Sequence, residues 1–168
     1  MNIKYIIVSL AIFLSSCVSS SKVEDVAHKQ TETNTLVGKV SLSKLKNSEF
    51  KTVFATGYNN YRPDPSSIEK LKSIEENYSI TVVLGTWCGD SKEQVPHFFK
   101  IINLIDYQKK VNIICVDRKK QAEGTNVSSL AIQRVPTFIF YRENKEIGRI
   151  IETPKVNLEK NMLTILSR

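Results

Sequence analysis

Ser79 to Leu84 is a largely β-branched and aliphatic run that reads as a strand covered on both faces. That feature narrows the chain to architectures in which a central strand lies between packed layers. The run passes into Gly85-Thr86-Trp87-Cys88-Gly89, a turn, and then into a helical pattern from Asp90 to about Tyr107. Val95, Phe98, Phe99, Ile102 and Ile105 form the apolar face of that helix.

The flanking sequence extends the pattern. Leu36-Val37, Val40, Leu42 and Leu45 suggest a short strand or helix that begins the domain, and Lys51 to Ala55 a short strand. Gly57 to Pro65 is expected to be a loop, at whose end Asp64-Pro65 has the form of an N-cap followed by a first-turn proline. Ile68, Leu71 and Ile74 then mark a helix ending near Asn77. Val111 to Val116 reads as a second aliphatic strand, and Asn126 to Gln133 as a short helix. Thr137 to Tyr141 and Glu146 to Ile151 form a hairpin turning at Asn144-Lys145, and Asn157 to Leu166 is a last helix. This order is that of an α/β chain with parallel strands and a closing hairpin.

A cysteine placed where a strand turns into a helix faces N–H groups that the helix leaves unpaired, and the positive end of its dipole. Both favour the thiolate, which is the nucleophilic form. With Gly89, Asp90 and Ser91 as neighbours, Cys88 has the setting of a reactive thiol rather than of a core residue. Cys115, on an aliphatic strand, has the setting of a core residue. Asp90 is placed to cap the helix. His97 reads as exposed or partly packed, and His28 as a solvated residue. No CxxC pair and no His/Cys cluster has zinc spacing, so neither a metal nor a cofactor is expected.

On these residues the chain, from about Leu36 to the C-terminus, resembles the thioredoxin family. Trp87-Cys88-Gly89 stands where the family has Trp-Cys-x-x-Cys. Pro96, eight residues after Cys88, matches the proline that kinks the active-site helix of thioredoxins. Val135-Pro136-Thr137 looks like the family's cis-proline turn, which faces the active cysteine, and Gly148 sits where the family usually has glycine. The resemblance implies a thioredoxin-like fold, a central mixed sheet flanked by helices. It also implies catalytic positions at Cys88, Ser91 and Pro136, with Trp87, Gly89, Asp90 and Val135 meeting an extended thiol substrate. Two positions depart from the family. Ser91 occupies the place of the resolving cysteine, and Val82 that of a buried acid that assists proton transfer. Serine cannot form a disulfide, although its hydroxyl can donate a hydrogen bond to the Cys88 thiolate.

The N-terminus carries a different message. Lys4 precedes the apolar run Ile6 to Leu14, which is too short to span a bilayer as an ordinary helix and has the form of a secretory signal. Leu14-Ser15-Ser16-Cys17 at its end resembles the lipobox of bacterial lipoproteins, which implies cleavage before Cys17 and lipid on that cysteine. Residues 1–16 are thus expected to be a signal peptide, 17–35 a lipid-anchored flexible linker, and 36–168 the thioredoxin-like domain. The linker is rich in Ser, Thr, Lys, Glu and Asn, with too little apolar surface to fold alone. The chain would then be a monomer in the bacterial cell envelope, anchored to the membrane and facing the periplasm or the exterior.

The formal charge is +7, with basic residues scattered apart from the pairs Lys109-Lys110 and Lys119-Lys120. No basic stripe interleaved with aromatics is present, so nucleic acid is not indicated as a partner. Two functional readings follow. In one, Cys88 exchanges with protein or small-molecule thiols and disulfides as a monothiol oxidoreductase, and an external thiol or Cys115 completes the cycle. In the other, the domain is redox-silent and binds an extended peptide or partner protein.

Overall fold

The computed structural model describes residues 35–75, 77–107 and 110–168, so the signal, Cys17 and the linker up to residue 34 lie outside it. The elements are β1 (Gly38–Val40), α1 (Leu42–Lys46), α2 (Lys51–Asn60), α3 (Pro65–Lys72), β2 (Tyr78–Leu84), α4 (Gly89–Leu104), β3 (Val111–Cys115), β4 (Thr137–Arg142), β5 (Lys145–Ile151) and α5 (Leu158–Leu166). The strands form one mixed sheet in the order β1-β3-β2-β4-β5. β2 is the central strand, parallel to β3 and antiparallel to β4, while β1 and β5 add antiparallel edges. Ile80, Val82, Val83 and Leu84 of β2 are fully buried, as its unbroken aliphatic end demands. Leu84 pairs with Cys115 and Val83 with Thr137, so the ends of β2 and β3 open beside the start of β4.

The two faces of the sheet are covered unequally. One carries the main core, in which Ile80, Val82, Leu84, Ile113, Cys115, Phe138 and Phe140 meet the buried residues of all five helices. On the other, Val83, Ile114 and Val116 are covered by Val127 and Val135, with Trp87, Cys88, Ala122, Leu130 and Ile132 packed at the margin. A short helix was expected over Asn126 to Gln133. The structure has only a 3₁₀ turn at Ser128–Leu130, ended by Ala131 at φ 49°. Ser129 turns its hydroxyl back to the Asn126 carbonyl at 3.0 Å, a local bond that competes with helix growth.

A second expectation is overturned at residues 51–65. Lys51 to Ala55 is not a strand and Gly57 to Asn60 is not a loop; both belong to α2. Phe50, Phe54 and Tyr58 are four residues apart and form a ring ladder, Phe54 lying 5.9 Å from Tyr58 and 6.0 Å from Phe99 of α4. The hairpin turn also falls one residue early, on Glu143 and Asn144, both at positive φ as a tight hairpin connection requires. Asp64 caps its helix as read from the sequence, and Asn157, read only as the start of the last helix, caps that one. Asp64 Oδ2 accepts from Ser67 N at 2.8 Å, and Asn157 Oδ1 from Lys160 N at 3.0 Å. Tyr61 in the α2–α3 connection donates to the buried Glu159 carboxylate at 2.6 Å, and Asp64 N donates to it at 2.8 Å, which clamps α5 to this corner.

Gly57 is where α2 crosses α4. A Cβ there would stand 2.9 Å from Pro96 Cβ, so the crossing depends on its absence. Alanine would gain about 1 kcal/mol of helix propensity and lose about 1–3 kcal/mol by overpacking, a near balance. Gly57→Val has no such offset and should destabilise the fold by about 2 kcal/mol. Urea midpoints of the two variants measure this, and an unchanged midpoint for Gly57→Val would contradict the crossing geometry.

Candidate active site

The site is built where β2 hands over to α4. Cys88 is the N-cap of α4, with extended backbone (φ −86°, ψ 131°) and no side-chain cap bond. Its N–H donates to Gly85 O at 2.9 Å, which closes the turn, and its carbonyl accepts from Lys92 N at 3.0 Å, which starts the helix. The N–H groups of the first helical turn have no partner within the helix, and Cys88 stands at that end of it. The thiol is partly exposed and donates to Val135 O at 3.1 Å. The Val135–Pro136 bond is cis. That turn is tied down from both sides, because Pro136 O accepts from Glu152 N at 2.7 Å and Arg134 pairs with Glu152 at 2.7 Å.

Trp87 lies flat against the turn. A Cβ on Gly85 would stand 2.6 Å from its ring, and its indole N–H donates to Val116 O at 2.9 Å. Gly89 is exposed beside the sulfur. Asp90 is not the cap; it sits two positions after it, in the first turn, where its charge suits the helix dipole. Ser91 is fully buried, and its hydroxyl accepts from Gly85 N at 3.3 Å. Its observed task is thus to hold the turn, where a hydrogen bond to the thiolate was anticipated. Val82 is fully buried and paired with Ile113 and Phe138, so the position under the site is apolar throughout.

Cys115 points into the main core, on the sheet face opposite the one that Cys88 rests on. Burial pushes its thiol up to about 12. His97 is half-buried and stacks on Tyr61 with centroids 4.1 Å apart, and desolvation holds its pKa below the ordinary value. Among the described residues no group of three His, Cys, Asp or Glu could hold a metal ion.

Two residues of the site went unread in the sequence. Glu49 accepts from the Thr86 hydroxyl at 2.6 Å, which anchors the Cys88 turn to the start of α2. No local signal marks it, since the partners are 37 residues apart. Arg118 lies over the Trp87 ring at 4.9 Å. Its place was readable in principle, because loops after neighbouring parallel strands share one edge of a sheet.

A partly exposed cysteine at a helix start, facing a cis-proline turn at the end of a 1-3-2-4-5 sheet, defines the thioredoxin class of α/β proteins. The thioredoxin family model matches residues 40–163, and the chain belongs to that family. It is 28% identical over 100 residues to thioredoxin H9 of Arabidopsis thaliana, covering 58% of this chain and 68% of that one. It is 28% identical over 97 residues to the mitochondrial thioredoxin O of Oryza sativa subsp. japonica, covering 58% and 54%. Among solved structures, a Pseudomonas aeruginosa protein of unknown function superposes with a TM-score of 0.57 at 17% identity, over 79% of this chain and 93% of that one. Proteins of this family act as thiol–disulfide oxidoreductases.

Burial of Cys115 has a consequence for stability. The folded thiol keeps a proton that the unfolded one releases, so the stabilisation is full below the ordinary value of 9.0 and is lost as pH rises toward about 12. Tyr61, raised by burial and by its bond to Glu159, acts with the same sign. Urea midpoints should therefore fall above pH 9.0, and less steeply in Cys115→Val. In native protein a maleimide should label Cys88 and leave Cys115 untouched until unfolding. Equal labelling of the two would remove Cys115 from the core.

Proposed function

We propose that this chain is a monothiol thiol–disulfide exchange protein, held by lipid on Cys17 in the bacterial cell envelope. The observation that carries the proposal is the Cys88 thiol, partly exposed at the start of α4 and 3.1 Å from Val135 O, with the other described cysteine buried on the opposite sheet face. The Cys88 thiolate attacks one sulfur of a disulfide, the S–S bond breaks, and the departing half leaves as thiolate. Val135 O, released from the thiol proton, is then free to accept an N–H from an extended partner. With serine at 91 the mixed disulfide waits for a second thiol from outside. Exchange, isomerisation or removal of a thiol adduct suits such a site better than net reduction.

Ser91→Cys tests this directly. It restores two sulfurs one helical turn apart, within reach of a disulfide. The variant should gain turnover on insulin, whereas the native chain should trap mixed disulfides on Cys88. Val82, apolar where proton transfer would need an acid, should keep the variant slower than an ordinary thioredoxin. Cys88→Ser should abolish both activities. If the native chain traps nothing, and the variant closes its disulfide but exchanges it with no partner, the domain is a redox-silent binding module.

The envelope assignment has its own test. Mass spectrometry of the native protein should find a mature chain starting at Cys17 with acyl groups on it. A soluble chain starting elsewhere would overturn it.

A further inference from the structure

β2 and β3 are parallel neighbours, so the turns that leave them emerge at the same end of the sheet. The first turn carries Cys88. The second carries Arg118-Lys119-Lys120, which the Cys88 chemistry described above does not use. Lys119 and Lys120, with Val127, Ser128, Ile132 and Gln133, line a cavity of about 520 Å³. Val127 is part of the small apolar cluster against which Ile132, Trp87 and Cys88 pack, so cavity and thiol border the same cluster. Arg118, over the Trp87 ring, adds a third cation on the same turn.

These cations are unneutralised, and the backbone of the turn that carries them is held by its own hydrogen bonds. Among the described residues none of the three is in an ion pair. Asp117, the acid of the same turn, is engaged with backbone, since its Oδ1 accepts from Lys119 N at 2.9 Å and Gln121 N at 2.8 Å. Lys120 N donates to Asp117 O at 3.0 Å and closes the turn. The remaining acids of the two turns, Asp90 and Glu123, are outnumbered. A helix over this face would fill the space; the 3₁₀ turn at Ser128–Leu130 leaves it open.

We propose that this cavity is the second half of the Cys88 site and selects a low-molecular-weight thiol that carries carboxylates. The inference rests on Cys88 exchanging disulfides. Sites for small molecules typically enclose about 300–1,000 Å³, which the cavity satisfies. The partner's sulfur meets Cys88 while its carboxylates meet Lys119 and Lys120. The Cys88 thiolate attacks a symmetric disulfide of this compound, a Cys88–S–S–R bond forms, and RS⁻ leaves with the electron pair of the broken S–S bond. A second RS⁻ reverses the step.

Three disulfides of similar length separate charge from reactivity: dithiodipropionate (anionic), hydroxyethyl disulfide (neutral) and cystamine (cationic). The rate of mixed-disulfide formation on Cys88, read by mass spectrometry, should favour dithiodipropionate over cystamine by on the order of tenfold or more, shrinking with added salt. Arg118→Gln/Lys119→Gln/Lys120→Gln should abolish that preference, read as the ratio of the dithiodipropionate rate to the cystamine rate. Equal rates for anion and cation, or a preference that survives in the triple variant, would overturn the proposal. So would a preference seen only with an acidic cysteine peptide and not with dithiodipropionate. Suberate, the carbon analogue of dithiodipropionate, separates this inference from the exchange reading. If Cys88 reacts with no disulfide, suberate-dependent NMR shifts at Lys119, Lys120 and Ser128, lost in the triple variant, still support the carboxylate site, and their absence refutes it.

Discussion

The hydrogen bond from the Cys88 thiol to the Val135 carbonyl joins two turns 47 residues apart, and the site exists only because the fold brings them together. The antiparallel pairing of β2 with β4 sets Val83 opposite Thr137, so the chain leaving β2 and the chain entering β4 meet at one end. Everything around the pair braces this meeting. Ser91 and Cys88 close the turn after β2 through Gly85, Glu49 ties Thr86 to α2, and Glu152 ties both Arg134 and Pro136 to the end of β5. A reactive sulfur held by so many short bonds keeps its orientation without a second cysteine to fix it.

The same packing explains what the site lacks. Val82 lies under the turn among Ile113 and Phe138, and a carboxylate there would be desolvated with no partner to offset the cost. Ser91 keeps a polar atom where the turn needs one, for Gly85 N, while removing the sulfur that would complete an internal disulfide. The two departures act together. One removes the proton acceptor and the other the electron carrier that net reduction by a single domain requires, and both leave the geometry of attack by Cys88 intact. On the exchange reading proposed above, the second thiol comes from outside, because Cys115 is committed to the other sheet face.

Much of this was legible in the residues, and the exceptions have physical causes. β2 and α4 were readable because a β-branched run and a 3.6-residue apolar face each repeat over many residues. Asp64-Pro65 was readable because capping is local chemistry. Lys51 to Ala55 misled, since a five-residue run holding Thr52, Val53 and Phe54 looks like a strand; the spacing of Phe50, Phe54 and Tyr58 shows only over nine. Gly57 reinforced that error, because its place is decided by Pro96 of α4, which is distant in sequence. Residues 126–133 offered one apolar repeat, Val127 to Leu130, enough for a 3₁₀ turn and too little for a helix once Ser129 bonds back to Asn126. The site cysteine and the proline turn could be read; Glu49, which acts across the fold, could not, and Arg118 was readable only from the topology of the parallel strands.

The asymmetry of the two sheet faces gives this domain its division of labour. The face that buries Phe98, Phe138 and Met162 under all five helices carries the stability, and a change there is felt as lost packing. The apolar cluster beneath Cys88 has five buried residues and a cover made of loop and a single 3₁₀ turn. Its backbone satisfies itself through short local bonds, so substitutions among the exposed side chains of residues 117–134 alter the surface beside the thiol at little cost to the fold. Specificity can therefore change in that segment while Cys88, Val135 and Pro136 stay where the β2–β4 pairing puts them. On the reading proposed here, the thiol chemistry belongs to the strand ends, and the choice of partner to the thin cover beside them.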